Sequence, residues 1–268
     1  MKKHLVGTAA GRALLQAAQW LELKRLPLHN PEQAPLTANK ILAQRLVTQL
    51  CPPGGTFVDV GAHLGTVFSA VRHYDASITL IAFEADPDKA AHLRRKFPWC
   101  TLHAVAVGET TGQVRFFIDG DATAYNSLVA LGDRTQTAIE VDCVTLDEAL
   151  AGTAPDVLKI DIEGAELGAL RGGAAVIETH RPTLLFESAL AGENALGYSP
   201  DAIWAWLDAR GYGVFYPDRL AHAAPPLPLE VFLDAHLHPR RTVDFFAVHR
   251  DKQQTVRDRA HRILNTAG

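Results

Sequence analysis

The sequence predicts an α/β fold in which a largely parallel sheet is covered by helices on both faces. Three observations lead there. Short runs rich in Val, Ile, Leu and Phe alternate along the chain with segments whose apolar residues recur at helical spacing, which is the order of βαβ units. Glycine-bearing turns close several of these runs, most clearly "FVDVGAHLG". The chain is also long enough, at 268 residues of which 47% are hydrophobic, to bury one sizeable core.

The elements follow in order. In the first 25 residues Leu14, Ala17, Ala18 and Leu21 recur at helical spacing. They predict a helix docked on the main body; a lid, a dimer contact or a foot on a membrane surface are the other readings. After the connector "PLHNPEQAPL", residues 37–50 read as an amphipathic helix that "CPPGG" stops. Strand 56–61, helix 63–74, strand 78–87, helix 88–97 and strand 101–108 come next. Residues 113–118 and 138–144 read as additional strands around a loop, and 145–150 as a short helix capped by Thr145. Strand 157–164, helix 165–180, strand 182–188, a helix within 199–211, and strands 213–217 and 243–250 complete the pattern. No convincing helix separates the last two strands, which therefore predict an antiparallel pair at one edge. The expected division is an N-terminal helical extension (1–50), a main domain (51–250) and a C-terminal helical tail (251–268).

Composition excludes several function classes. Net charge is −4 with a pI near 6.3, so no global field attracts nucleic acid or an anionic membrane. Cys51, Cys100 and Cys143 are odd in number and follow no metal-ligand spacing, which suits reduced thiols in a cytoplasmic protein. No run approaches the ~18 apolar residues of a membrane span. The opening lysines resemble the start of a signal peptide, but Arg12 splits the apolar stretch that follows.

In an open α/β sheet, ligands bind beyond the carboxyl ends of the strands, where strand order reverses. That rule selects residues. The first strand ends in Asp59, Gly61, Ala62, His63 and Gly65, a D-x-G-x-x-x-G loop with a bulky His63 in place of the second glycine of a dinucleotide fingerprint. Its acid suits a cationic ligand better than a pyrophosphate. The second strand ends in Glu84 and Ala85, ~20 residues beyond the first glycine, where a carboxylate can accept from a ribose diol. An adenosine with an amino-acid tail, as in S-adenosylmethionine, has those parts. Val105 and Ala106 are candidates to sandwich its purine, and His103 reads as a core histidine before a base.

The stretch "VLKIDIEGAE" sets Lys159, Asp161 and Glu163 on one side of an apolar strand. A buried lysine must be paired, and Asp161, Asp59 and Glu163 are its candidate partners. Glu187 ends the next strand and adds a carboxylate to the same rim.

Taken together, "FVDVGAHLG", "FEADP", "AVAVG", "VTLDEAL", "DVLKIDIEGAELGALRGG" and "RPTLLFE" resemble the FkbM family of S-adenosylmethionine-dependent methyltransferases over about residues 56–188. The resemblance implies a Rossmann-like methyltransferase fold with a mostly parallel seven-stranded sheet and an antiparallel C-terminal hairpin. It implies O-methylation of sugar hydroxyls, natural products or glycans. Asp59, Gly61, Gly65 and Glu84 then correspond to the cofactor positions, and Asp161 and Glu163 to site-facing acids. Asn126 and Ser127, in "AYNSL", correspond to a segment near the substrate.

Methyl transfer to a hydroxyl needs in-line positioning and a proton acceptor. Asp161 is the first candidate base, with Glu163 and Glu187 next and His63 behind them; Lys159 orients the carboxylate. Mg²⁺ held by Asp161, Glu163 and Glu187 is a disfavoured alternative. A nicotinamide-dependent oxidoreductase and a non-catalytic binding protein are the competing functions, the first weakened by the missing G-x-G-x-x-G and the second by the presence of Asp59 and Glu84. The N-terminal helices, the loop 119–134 and the excursion 217–241 are expected to shape the acceptor pocket. Trp204, Trp206, Phe215 and Tyr216 read as core rather than as a sugar platform. The acceptor's identity and a homodimer are left open.

Overall fold

The computed structural model describes residues 5–119, 128, 136–188, 196 and 198–266. Asn126 and Ser127 lie outside them. After α1 (Ala9–His29), a 3₁₀ turn and α2 (Ala34–Leu50), the chain alternates as β1 (Thr56–Val60), α3 (Thr66–Tyr74), β2 (Thr79–Phe83), α4 (Pro87–Lys96) and β3 (Thr101–His103). Three strands of a small second sheet follow: β4 (Ala106–Val107), β5 (Gly112–Asp119) and β6 (Gln136–Val144). Then come α5 (Leu146–Ala149), β7 (Val157–Ile160), α6 (Glu166–Gly172), α7 (Ala174–His180), β8 (Thr183–Glu187) and α8 (Pro200–Asp208). The chain ends with β9 (Tyr212–Phe215), α9 (Pro217–Ala221), α10 (Leu229–Asp234), β10 (Asp244–His249) and α11 (Gln253–Asn265).

The main sheet has seven strands in the order β3-β2-β1-β7-β8-β10-β9. β3 to β8 run parallel, whereas β10 is antiparallel to both β8 and β9. Strand order reverses between β1 and β7, which opens a crevice at their carboxyl ends. Alternate side chains build two cores. Val58, Val60, Phe83, Leu158, Ile160 and Phe186 pack beneath α6 and α7 on one face. Phe57, Leu80, Val157 and Leu185 meet Ala43, Leu46 and Val47 of α2, Phe68 and Val71 of α3 and Ala260 and Ile263 of α11 on the other. Arg259 of α11 donates to Gln49 O at 2.8 Å and Cys51 O at 2.7 Å, tying the last helix to the end of α2.

Local chemistry explains the helix starts. Asp86 caps α4 by accepting from Asp88 N and Lys89 N, with Pro87 in the first turn. Thr145 caps α5 by accepting from Glu148 N, as its position in the sequence predicts. Three expectations are corrected. The expected strand 101–108 divides, its first part joining the main sheet and its second the small one. The expected helix 165–180 breaks before Ala174, where Gly173 leaves helical geometry at φ −111 and ψ 17. The short helices α9 and α10 occupy the connection between β9 and β10, where none was expected. Among the described residues no helix is long and apolar enough to cross a membrane.

Candidate active site

The crevice between β1 and β7 is a cleft of about 450 Å³, within the usual range for small-molecule sites. Its floor is the turn after β1. Gly61 N and Ala62 N both donate to Phe83 O, at 3.1 and 3.0 Å, which folds the turn back over β2. Gly61 has φ +80, and a Cβ there would sit 1.9 Å from Asp161 O, so only glycine fits this crossing of the β1 and β7 ends. His63 continues the turn at φ +52, and burial pushes its imidazole pKa down to about 4, keeping it neutral.

At the end of β2, Glu84 lines the cleft while its two oxygens accept from His63 N at 2.6 Å and Asp86 N at 3.0 Å. Those bonds lock the carboxylate in place and leave further lone pairs for a ligand hydroxyl. Burial raises its pKa, against the Lys89 ammonium beside it. Ala62, His63, Ala85, Val105 and Ala106 line the same end of the cleft. His103 instead stacks on Phe83, with ring centroids 4.8 Å apart, and belongs to the packing.

The other end is acidic. Asp59 and Lys159 are register partners on adjacent strands, and their charged groups meet at 3.0 Å. Lys159 also reaches Asp161 at 3.3 Å and donates to Gly61 O at 3.2 Å. Against the cost of burial, Asp161 and Asp59 hold the ammonium above its usual pKa, so it stays charged. Asp161 faces the cleft beside Glu187 and Glu163; one oxygen of each lies within 4.8 Å of the others. Although burial opposes its charge, Lys159 and a hydrogen bond with Glu187 hold Asp161 below the usual carboxylate range. Burial first, then the charge of Asp161, pushes Glu187 up to about 10, which favours its protonated form as the hydrogen-bond donor to the Asp161 carboxylate. Burial and the same neighbour raise Glu163 to about 7. Asp244, the register partner of Glu187, is raised to about 6 by burial and Asp161.

A bracket shapes this end. Glu166, itself buried, accepts from Ile162 N at 2.9 Å and Gly164 N at 3.0 Å. It holds the tight loop in which Glu163 has φ +56 and Gly164 φ +101. Burial raises Glu166 to about 7, against those backbone donors.

Two of the expected site residues lie off the cleft wall. Asp59 is 1% exposed and absent from the cleft wall; it sits behind Lys159. Gly65 starts α3 and faces Phe68 and Phe97 instead of the cleft. The lysine's expected pairing narrows to Asp59 and Asp161, without Glu163. Residues 217–241 contribute nothing to the wall, whereas Lys40, Gln44 and Val47 of α2 do. Phe116 of β5, Leu128 and Asp244 also line it. These residues carry no local signal and become neighbours only through the sheet. Trp204 and Trp206 pack against the core, and Phe215 and Tyr216 are buried in it.

A family model, the Methyltransferase FkbM domain, matches residues 59–214, more than half of the chain. Among solved structures, an FkbM methyltransferase from Methylobacillus flagellatus is 21% identical, with a TM-score of 0.46; the match covers 73% of this chain and 43% of that one. The chain thus spans less than half the length of that relative. A TehB-like SAM-dependent methyltransferase from Corynebacterium glutamicum is 11% identical at a TM-score of 0.38, covering 77% of this chain and 85% of the other. The plantazolicin methyltransferase BpumL, solved with a pentazolic desmethylPZN analog and SAH, is 8% identical at a TM-score of 0.40, covering 90% of this chain and 92% of the other. No protein of curated function matches. With its mostly parallel seven-stranded sheet, its β1–β7 switch point and a family match over more than half of its length, the chain belongs to the FkbM methyltransferase family.

Proposed function

We propose that this chain is an S-adenosylmethionine-dependent O-methyltransferase acting on a hydroxyl of a sugar, a glycoside or a natural product. One observation carries the reading: Glu84 and the carboxylate group Asp161, Glu163 and Glu187 border one cleft at the switch point, on either side of a turn that admits only glycine. The residues present fit that cofactor. Glu84 is fixed to accept from a ribose diol, Val105 and Ala106 offer apolar surface to a purine, and the acids suit its ammonium and sulfonium charges. Bound there, S-adenosylmethionine supplies an electrophilic methyl group on a sulfonium.

The chain's own residues then position the acceptor and take its proton. Asp161, ionised and held by Lys159 and Glu187, has little basicity left and orients the acceptor hydroxyl. Glu163, with a pKa near 7, is the better match for a general base at neutral pH, which moves that role from Asp161 to its neighbour. Lys159 at 3.3 Å already supplies Asp161 with a positive charge, which favours proton chemistry over Mg²⁺ on the same three carboxylates. Calorimetry tests the assignment. S-adenosylhomocysteine should bind where NAD does not, and Glu84→Ala should weaken it by roughly tenfold or more, the loss of one or two hydrogen bonds to a charged group. Unchanged affinity in that variant would contradict the cofactor placement.

A further inference from the structure

The N-terminal helix α1 carries apolar side chains that the described residues leave largely exposed. None of its residues is buried; Leu28 is 79% exposed and Leu14 and Trp20 are each 60% exposed. Leu14, Leu21 and Leu28 follow one another at seven-residue intervals, two helical turns apart, and so form one line along the helix. The opposite side meets the body, where Gln19 Nε2 donates to Gln44 Oε1 of α2 at 2.9 Å. The leucine line therefore points away from the protein.

Charge is divided in the same way. Residues 1–29 hold five Lys and Arg side chains against the single carboxylate Glu22, while the rest of the chain holds 21 against 29. The acidic whole conceals a basic end. Lys24 and Arg25 lie beside the leucine line by helical periodicity, and the Lys24 ammonium sits 5.4 Å from the Trp20 ring centroid. The leucine line with cations beside it suits a helix lying on a charged interface, while Leu15 and Leu23 leave further apolar side chains exposed on its other faces.

We propose that α1 docks on an anionic bilayer surface, with Leu14, Leu21 and Leu28 entering the headgroup region and Lys24 and Arg25 meeting lipid phosphates. Charge complementarity selects this occupant over a second copy of the chain. Two α1 helices paired along the leucine line would bring Lys24 and Arg25 of both copies to one seam, with Glu22 the single acid on each helix. In a parallel pair those like charges would repel, and in an antiparallel pair they would face Ala17 and Ala18 with no acid opposite, whereas an anionic surface attracts them and repels the acidic body. That orientation holds the helix flat, with α1 lying between the bilayer and the Gln44 rim of the cleft.

Co-sedimentation of the full chain with phosphatidylcholine vesicles, with and without an equimolar share of phosphatidylglycerol, tests this. Binding should appear with the anionic vesicles alone and weaken as salt is raised. The triple variant Leu14→Glu, Leu21→Glu, Leu28→Glu and the double variant Lys24→Glu, Arg25→Glu should each lower the bound fraction tenfold or more, with unchanged circular dichroism and melting temperature. Three outcomes overturn the proposal: no binding to the anionic vesicles, equal binding to neutral ones, or sedimentation velocity showing a dimer that the leucine variants split while vesicle binding stays absent.

Discussion

Replacing Lys159 with methionine probes the charge arrangement under the cleft. The lysine side chain is 7% exposed and meets Asp59, 1% exposed, at 3.0 Å; at an effective dielectric near 20 that contact is worth about 5 kcal/mol before desolvation is subtracted. The contact with Asp161 adds less, because the Asp161 side chain is 39% exposed and water screens it. Methionine fills the lysine's volume but strands Asp59 as a buried, uncompensated charge, a loss of about 3–5 kcal/mol, or roughly 10 °C in Tm for a chain of this size. The pH dependence has a definite sign. Burial already raises Asp59 above its ordinary value of 3.8, and without Lys159 it rises further. A carboxyl whose folded pKa lies above its unfolded one contributes stability at low pH and loses it as pH climbs between the two. Denaturant unfolding across pH should therefore show the Lys159→Met deficit largest at neutral and alkaline pH and shrinking in acid. Adding Asp59→Asn should recover much of it, since no stranded charge remains. A deficit under about 1 kcal/mol, or one that does not change with pH, would refute the reasoning.

Other consequences follow from the same geometry. With Glu163 as base and a pKa near 7, kcat/KM should rise with pH through about 7 and then level, and Glu163→Gln should lower turnover about 100-fold and remove that limb. Glu166→Ala frees Ile162 N and Gly164 N, so turnover should fall by tenfold or more. Glu166→Gln, which keeps an acceptor, should recover part of that loss; equal defects would show that bracing the loop is not its role. Gly61→Ala places a Cβ 1.9 Å from Asp161 O at a positive φ, which should cost about 2–4 kcal/mol and abolish S-adenosylhomocysteine binding in a calorimeter.

Within the cleft, the cofactor end was more legible than the acceptor end. Glu84 could be located because the spacing from the first glycine to the second strand's end is set by one βαβ unit, a local length. Gly61 was legible for a similar reason, as the turn closing β1. Asp59 was legible as a candidate partner of Lys159 but not as a side chain withdrawn from the cleft, because its position at a strand end does not say how deeply it is buried. Opposite Lys159 in the register it becomes the lysine's partner, and the cleft passes to Asp161, two residues further along. Lys40 and Asp244 approach the same carboxylates from positions more than 200 residues apart in the chain, and no local pattern marks either.

Alternation of apolar runs with helical segments, read with turn chemistry, determined by itself that this chain builds a parallel sheet with its acids near the carboxyl ends. That information is local, since periodicity and capping act over a few residues. Which acid stays ionised, which holds a proton and which faces the ligand was decided only by tertiary structure. Burial and the distances to other charges set these properties, and both arise when strands distant in sequence come into register. The outward face of α1 belongs to the same category: its leucine spacing is written in the sequence, but its exposure depends on what the rest of the fold leaves uncovered.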